Sequence, residues 1–378
     1  MNILVIGFDW KGKLDTDPDF MLRKLGRDRL DPAHNQIVLW EFSTKRGDRQ
    51  IAPSVRALTR RASFSQFRPL YDFLAWRFIV RDMRRIGFKP DVVVLNDFPL
   101  LPAARRVKQT FGSKILLYLT NLPTDLSRTR RGGFFKAAYH RLFQAGTARS
   151  LDTIAVISEA THAYARSLGI PEEHIFPHVP DVIGSNKARI AQVRKESMRE
   201  RFHIAADTHV LISVGRLEGE KGFDRLLHAV AALKRTDVAL VILGEGRLRS
   251  QLEALARTLG ISERVHFAGH ITRRDIWDYY ADADAFVLLS RSEGLGLVVW
   301  EAMYMRVPVI VSGAGGLAES VGANGERGFL WKEGENISVF STELDRCFDR
   351  DAIGPMLERA HAYVEQRIAH SASPLDSI

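Results

Sequence analysis

Short apolar runs rich in β-branched residues recur along the chain, and each ends at a glycine or a polar residue. The clearest two are residues 2–7, Asn-Ile-Leu-Val-Ile-Gly, and residues 209–215, His-Val-Leu-Ile-Ser-Val-Gly. Such runs are typical of strands that are buried on both faces of a parallel sheet. Further strands are predicted at 36–42, 91–95, 114–119, 152–158, 239–244, 265–268, 285–290 and 308–312.

Amphipathic stretches separate these strands. In the second half, helices are predicted at 222–234, 247–259 and 296–305. Strands that alternate with helices of about 10–15 residues indicate βαβ units and parallel sheets. Because the series starts twice, we predict an α/β protein with two Rossmann-like domains, 1–185 and 186–378. Their parallel sheets are expected to face a central cleft, where small molecules commonly bind.

Two further segments complete this outline. The connection between the domains is expected near 177–186, where prolines and a glycine interrupt any regular pattern. The charged stretch 187–203 is expected to form one helix that leads into the second domain. The tail after Ile368 looks too short to cross back to the first domain.

Composition narrows the class of protein. The 378 residues are 46% hydrophobic and 26% charged, which is the balance of an ordinary globular protein. No apolar run approaches the roughly 18 residues that a membrane span needs. Residues 1–7 lack the basic flank and longer apolar core of a signal peptide, so a cytoplasmic location is expected. The single Cys347 excludes an internal disulfide framework and a cysteine-based zinc site.

The net charge of +9 is unevenly placed, because the basic excess falls within residues 45–114. A localised basic stripe indicates an anionic partner such as lipid headgroups, nucleic acid or a phosphorylated substrate. The alternative is a solvated, arginine-rich helix face.

Within this stripe, segment 56–89 mixes basic and aromatic residues. Its basic side chains are Arg56, Arg60, Arg61, Arg68, Arg77, Arg81, Arg84, Arg85 and Lys89. Phe73, Trp76, Val80 and Met83 follow helical spacing and are expected to face the sheet, with the arginines pointing outward. Phe64 and Phe67 lie close by in sequence. Such a face suits an anionic membrane surface, which would place the protein peripherally on the inner face of the membrane. A solvated basic face with a soluble acceptor is the alternative.

The loop after the strand at 209–215 carries the first candidate chemistry. Arg216 and Lys221 follow Gly215, just before the next predicted helix. A helix N-terminus adds partial positive charge and N–H donors, so two cations there would suit a diphosphate. Both could equally be solvated loop residues. The Gly244-Glu245-Gly246 turn after the following strand is a weaker signal, since such glycines often serve only the turn.

The third motif is the most specific. Glu293 and Glu301 lie eight positions apart, with Gly294 and Gly296 between them, after a buried strand. Carboxylates accept charge-assisted hydrogen bonds from hydroxyls, so the pair suits a sugar and a ribose. A capping role for Glu293 and a structural salt bridge for Glu301 are the alternatives.

Taken in order, these motifs resemble the C-terminal half of the family 4 glycosyltransferases. These are retaining, nucleotide-sugar-dependent enzymes of the GT-B fold. The resemblance covers about residues 209–331, including Gly315-Gly316 and Pro308-Val309-Ile310. The first half resembles the family only in layout.

The resemblance implies roles for individual residues. Arg216 and Lys221 would bind the donor diphosphate and stabilise the leaving group. Glu293 would contact the donor sugar and Glu301 the ribose, with the base near loop 269–271. The implied catalytic residues are Arg216, Lys221 and Glu293. The implied donor-binding residues are Gly215, Gly244, Glu245, His270, Gly294, Leu295, Gly296, Leu297 and Glu301.

The resemblance also implies that no metal or cofactor is needed, and the sequence lacks an Asp-x-Asp triplet in a suitable loop. Asp282-Ala-Asp284 precedes a strand and is expected to cap or flank it. The family usually has a histidine after the strand at 114–119; Asn121 or Asp125 stands near that place here. The acceptor-side loop around Gly12 is also unusual.

The predicted function is therefore hexosyl transfer from a UDP- or GDP-linked sugar, with retention of configuration. The acceptor would be a glycan or a lipid-linked sugar of cell-envelope or polysaccharide biosynthesis. A nucleotide-sugar epimerase of GT-B layout fits less well. A basic nucleic-acid-binding protein has only the charge in its favour, so no nucleic-acid partner is expected.

Overall fold

The computed structural model describes residues 1–8, 35–43, 47–61, 68–96, 100–120, 148, 150–181, 183–194, 197–332 and 337–378. They form two compact units. The first contains the described residues up to Asp181 together with Ser371–Ile378, and the second runs from residue 183 to His370. The tail thus joins the first unit, and the expectation that it is too short to cross back is wrong.

The first unit has an eight-stranded sheet. Its strands and helices are β1 Asn2–Phe8, β2 Gln36–Ser43, β3 Gly47–Ala52, β4 Val55–Arg61, α1 Arg68–Arg85, β5 Val92–Asn96, α2 Leu101–Phe111, β6 Lys114–Leu119, β7 Thr153–Val156, α3 Glu159–Ser167 and β8 Ile175–Pro177. The strand order is β3-β4-β2-β1-β5-β6-β7-β8. All neighbours are parallel except β3, which is antiparallel to β4 at the edge.

The predicted strands of this half are present, with ends that differ by at most two residues. Strands β3 and β4 were not expected, because their arginines and small residues hide the apolar alternation. Val80 and Met83 of α1 are buried as predicted, and Trp76 is partly buried against the same core. Phe64, Phe67 and the side chain of Phe73 lie outside the described part.

Arg60 corrects the expectation that the arginines of segment 56–89 point outward. It is buried: its Nε donates to Asp82 Oδ2 at 2.6 Å and its Nη1 to Asp48 Oδ1 at 2.6 Å. The indole N–H of Trp40 donates to the same Asp82 oxygen at 3.0 Å. Although burial alone would lower it, these two carboxylates raise the pKa of Arg60. Arg60 therefore ties β4 to α1 inside the unit.

The second unit begins with α4 Lys187–Ile190 and α5 Ser197–Phe202 and continues with a six-stranded sheet. Its further elements are β9 His209–Val214, α6 Phe223–Ala231, β10 Val238–Leu243, α7 Arg249–Thr258, β11 Val265–Gly269, α8 Ile276–Ala281, β12 Ala285–Leu288, α9 Leu297–Tyr304, β13 Val309–Ser312, α10 Gly316–Val321, β14 Phe329–Trp331, α11 Ile337–Phe348 and α12 Arg350–Ala369. All its strand pairs are parallel.

The strand order β11-β10-β9-β12-β13-β14 reverses direction between β9 and β12. This is the doubly wound order, in which ligands bind outside the carboxyl ends of the strands at the reversal. The fold is thus α/β with two largely parallel sheets, as predicted. In the described part of the chain, no helix has the length and apolar character to cross a bilayer.

The charged stretch 187–203 is two short helices, not the single helix expected. Carboxylates in α8 and just before β12 bind backbone N–H groups within this break and in the first turn of α5. Asp278 Oδ1 accepts from the backbone N–H of Arg194 at 2.7 Å, and Asp282 Oδ2 accepts from Met198 at 3.1 Å. Asp284 Oδ2 accepts from the backbone of Val210 at 2.7 Å. The Asp282-Ala-Asp284 pair thus lies next to β12, as expected, but its carboxylates bind the backbone of α5 and β9 instead of capping β12.

Candidate functional site

Loops that follow β9, β10, β12 and β13 meet at the carboxyl edge of the second sheet, and glycines allow their backbones to touch. A Cβ on Gly244, whose φ is +142°, would lie 1.9 Å from the carbonyl oxygen of Gly215. A Cβ on Gly315, whose φ is +55°, would lie 1.8 Å from that of Glu293. The glycines of the motifs are thus needed for close packing of the loops that carry the charged residues.

Lys221 and Glu293 form an ion pair across this edge. The Lys221 Nζ lies 2.5 Å from Glu293 Oε2, and both side chains are mostly buried. The hydroxyl of Ser290 approaches the same carboxylate oxygen at 3.5 Å. Lys221 ends a short 3-10 turn after β9, and Glu293 lies in the loop after β12. The structure therefore brings together two of the three predicted catalytic residues.

Arg216 is more open. Its side chain is 58% exposed and pairs with Glu220, whose carboxylate is nearly buried, at 3.0 Å. The backbone carbonyl of Glu220 accepts the N–H of Arg291 at 2.7 Å. These contacts hold the loop after β9 beside the loop after β12, with the Arg216 guanidinium at the surface.

Arg291 strengthens the same junction, and the sequence analysis missed it. Its guanidinium binds both oxygens of Asp224, at 2.7 and 2.6 Å, and the carbonyl of Gly219 at 3.0 Å. Partial burial raises the pKa of Asp224, but the hydrogen bonds and charge of Arg291 outweigh it, so that pKa lies below its usual value. The position of Arg291 between two motif residues, Ser290 and Glu293, was the available signal.

Glu301 is buried in α9 and has two partners. Its Oε2 accepts from the Tyr280 hydroxyl at 2.9 Å, and its Oε1 lies 3.4 Å from Arg273 Nη1. Burial raises the pKa of Glu301, while the charge of Arg273 and the hydroxyl of Tyr280 act in the opposite direction. A structural ion pair for Glu301 is therefore present, and it leaves the binding role open. No sequence pattern indicated Tyr280 or Arg273.

The loops after β10 and β11 also meet. The backbone N–H of Gly244 donates to the carbonyl of Gly269 at 2.8 Å. A Cβ on Gly269 would lie 3.6 Å from Glu245 Oε1 and 3.5 Å from Arg249 Nη1. His270 follows and is exposed. These contacts bring the predicted donor-binding residues Gly244 and Glu245 beside the loop that follows Gly269. Arg249 lies in the same region and was not predicted there.

The remaining predicted positions lie before α9. Gly294, Leu295 and Gly296 are buried, and Leu297 is half-buried at the first position of the helix. The Leu295 side chain packs inside, so that only its backbone can face a ligand. The acceptor-side candidates Gly12, Asn121 and Asp125 lie outside the described residues. Across the described ranges, no three His, Cys, Asp or Glu side chains are grouped to hold a metal ion.

Comparison with known proteins shows which family the chain resembles. A family model for glycosyl transferases group 1 matches residues 194–367, and one for a glycosyl transferase 4-like domain matches residues 36–178. A GDP-mannose-dependent alpha-(1-6)-phosphatidylinositol monomannoside mannosyltransferase from Mycolicibacterium smegmatis is 30% identical over 202 residues. That match covers 51% of this chain and 52% of the relative, so the chain spans about half the length of this relative.

Two solved structures share the fold. The sucrose-phosphate synthase of Thermosynechococcus elongatus has a TM-score of 0.78 at 19% identity, covering 97% of this chain and 94% of that one. HepE of Anabaena, crystallised with UDP-glucose, has a TM-score of 0.72 at 20% identity and full coverage of both chains. Together the two family models span most of the chain. The chain belongs to the family 4 type of glycosyltransferases with the GT-B fold.

Proposed function

We propose that the protein is a retaining glycosyltransferase that moves a hexosyl unit from a UDP- or GDP-linked sugar to an acceptor. The acceptor is a glycan or lipid-linked sugar of cell-envelope or polysaccharide biosynthesis. The observation that carries the proposal is the pairing of Lys221 with Glu293 where the strand order reverses. It puts a cation suited to phosphate beside a carboxylate suited to sugar hydroxyls.

The chemistry follows from where charge develops. When the bond between the sugar and the diphosphate breaks, negative charge grows on the leaving phosphate. Lys221 and the exposed Arg216 guanidinium stabilise that charge, which is the kind of fixed electrostatic stabilisation that lowers barriers most. Since two cations serve this purpose, we propose that no metal or other cofactor is required.

Glu293 holds sugar hydroxyls, and the buried Glu301 holds the ribose. Retention follows if the acceptor hydroxyl attacks from the face that the phosphate leaves. The leaving phosphate takes the hydroxyl proton as the new glycosidic bond forms, so no protein nucleophile is needed. We assign the donor to the second domain, 186–378, and the acceptor to the first, 1–185.

The names of the relatives support a nucleotide-sugar donor, but they differ in its nucleobase. The mycobacterial relative is named as GDP-mannose-dependent, and HepE was crystallised with UDP-glucose. The former is also named for a phosphatidylinositol acceptor, in keeping with a lipid-linked substrate.

We further propose that α1 binds an anionic membrane surface, which places the enzyme peripherally on the inner face. The exposed large hydrophobic residues Leu74 and Phe78 lie one turn apart on this helix. Arg77 and Arg81 are exposed on the same stretch, and the Arg81 guanidinium lies 5.3 Å from the Phe78 ring. Apolar side chains beside arginines are typical of interfacial helices, and each basic residue contributes about 1 kcal/mol near anionic lipid.

A thermal-shift panel of UDP-, GDP- and ADP-sugars tests the enzymatic proposal, because a ligand that binds the native state raises apparent stability. One base should raise Tm selectively, and that donor should then be turned over in the presence of EDTA. Analysis of the products without acceptor separates transfer from epimerisation. A chain that no nucleotide sugar stabilises, or that converts the donor into an epimer, contradicts the proposal.

A further inference from the structure

Tyr280 makes one of the most buried polar contacts of the second unit. It lies in α8 with no exposed surface, and its hydroxyl is 2.9 Å from Glu301 Oε2 and 3.2 Å from the carbonyl oxygen of Val298. Both α9 partners are acceptors, while a phenol has a single proton to donate. The shorter, charge-assisted contact is the one to the carboxylate. Tyr280 therefore fixes Oε2 of Glu301 from inside the domain.

The other carboxylate oxygen has a different environment. Oε1 lies 3.4 Å from Nη1 of Arg273, whose side chain is 41% exposed. Arg273 lies in the loop between β11 and α8, the loop that begins beside Gly244. The Glu301 side chain is itself only 4% exposed, so Arg273 is the partly exposed group that lies beside Oε1. A carboxylate oxygen has about two acceptor positions, so Oε1 can accept a further hydrogen bond beside Arg273.

We propose that Tyr280 is a positioning residue for the nucleotide, an inference that rests on the proposed function. By holding Oε2, Tyr280 orients the Glu301 carboxylate so that Oε1 accepts a ribose hydroxyl, with Arg273 as the counter-charge. A buried carboxylate that lost the Tyr280 hydroxyl would have an unpaired oxygen. It would then rotate or take up a proton, and in both cases it would accept the ribose hydroxyl less well. Tyr280 touches no substrate and acts only through Glu301.

The test compares nucleotides with and without the hydroxyls that Glu301 would bind. Calorimetry measures the binding of UDP and GDP and of their 2′,3′-dideoxy forms to the protein. For the base that binds better, the affinity of the ribonucleotide is divided by the affinity of its dideoxy form. Tyr280→Phe should weaken binding of the ribonucleotide about tenfold and leave binding of the dideoxy form nearly unchanged. The ratio should fall accordingly. In a Glu301→Gln background, adding Tyr280→Phe should lower the ratio no further.

Tyr279→Phe is the matched control. Tyr279 is the neighbouring residue in α8, is buried, and bonds to Arg201 instead of Glu301. Its loss should leave the ratio unchanged. Because a buried substitution can impair folding, Arg273→Gln gives a second variant at an exposed position, and it should lower the same ratio.

The outcomes separate the two proposals. If the wild-type protein binds neither UDP nor GDP, the proposed function is wrong, and the role of Tyr280 falls with it. If it binds a nucleotide but Tyr280→Phe weakens both forms equally, only the positioning role is wrong. The positioning role is also wrong if both variants fold and the affinity ratio is unchanged in Tyr280→Phe and in Arg273→Gln.

Discussion

The Lys221 ammonium lies 2.5 Å from the Glu293 carboxylate, although 72 positions separate the two residues in the chain. One follows β9 and the other follows β12, and these strands are neighbours in the sheet. The pair is formed because the strand order reverses between them, which brings their two loops to one edge. Its two members would serve different parts of the donor, Lys221 the diphosphate and Glu293 the sugar.

Lys221→Met and Glu293→Gln are each expected to lower turnover at least tenfold with the fold intact. Each removes charge-assisted hydrogen bonds worth about 1.5–3 kcal/mol, and about 1.4 kcal/mol corresponds to a factor of ten in rate. Turnover of the donor found in the thermal-shift panel is the measurement. Lys234→Met, at an exposed lysine outside the site, should behave like wild type. Near-normal turnover in either soluble site variant contradicts its assignment.

Glu301 predicts an unusual dependence of stability on pH. Burial raises the pKa of Glu301 above its usual 4.5, despite the opposing effects of Arg273 and Tyr280. The folded protein then holds this proton more tightly than the unfolded chain, so the free energy of unfolding decreases as pH rises from the unfolded pKa through the folded one. Glu301→Gln cannot titrate. Relative to this variant, wild type should therefore lose Tm as pH increases.

Thermal unfolding of both proteins from about pH 4 to about pH 7 measures this difference, since the unfolded carboxyl titrates near the lower limit. The exposed Glu173→Gln is the control, and its Tm should stay parallel to that of wild type. A constant difference between wild type and Glu301→Gln would show that the proton affinity of Glu301 is the same in the folded and unfolded protein.

Arg60→Met is expected to destabilise the first unit by about 3–5 kcal/mol, because it removes the cation that lies 2.6 Å from the buried Asp82 carboxylate. Asp82 is only 3% exposed in its side chain, whereas Arg81, next to it, is 63% exposed. Arg81→Met removes only a 4.0 Å contact with the same carboxylate from a largely exposed side chain, so it should change stability by less than about 0.5 kcal/mol. Urea unfolding followed by circular dichroism measures both. Equal effects of the two substitutions would refute a structural role for Arg60.

Gly244→Ala is expected to disrupt the proposed donor-binding region, because its Cβ would lie 1.9 Å from the backbone carbonyl oxygen of Gly215. Gly260→Ala is the matched control, with φ of +69° and nothing within 4 Å of its Cβ. At Gly260 the substitution strains the left-handed backbone by about 1–2 kcal/mol but creates no steric clash. Gly244→Ala should lose nucleotide binding in the thermal-shift assay, and Gly260→Ala should keep it. Retained binding in both contradicts the close packing of the loops.

The basic face of α1 predicts salt-sensitive membrane binding. Replacing Arg77 and Arg81 by Gln should reduce co-sedimentation with anionic liposomes more than tenfold at low salt, at about 1 kcal/mol for each charge. High salt should abolish the difference by screening. Arg105 and Arg106, exposed on α2, provide a matched double substitution that should bind like wild type. If wild type shows no preference for anionic over neutral liposomes, the membrane proposal is wrong, and the main reason for a lipid-linked acceptor disappears.

Local pattern was sufficient for much of this protein. The apolar runs predicted β6 at Lys114–Leu119 to the residue and five of the six parallel strands of the second sheet, all except β14. Motif spacing indicated both glutamates and both cations of the proposed donor site. These features can be predicted because a buried parallel strand is a continuous apolar segment, and because glycine turns lie at its carboxyl end.

Tertiary structure decided what depends on partners distant in the chain. Arg60 belongs to the same basic segment as the exposed Arg77 and Arg81, and only the contact with Asp82 and Asp48 makes it a buried residue. Tyr280 and Arg273 belong to no motif, and they matter because α8 packs beside Glu301. The strands β3 and β4 at one end of the first sheet were not predicted for a related reason, since charged strands are stabilised by the neighbouring strands with which they pair. The periodicity of apolar residues predicts which face of a helix or strand is buried. Which charged or polar residue pairs with another on that face depends on how the helices and strands pack.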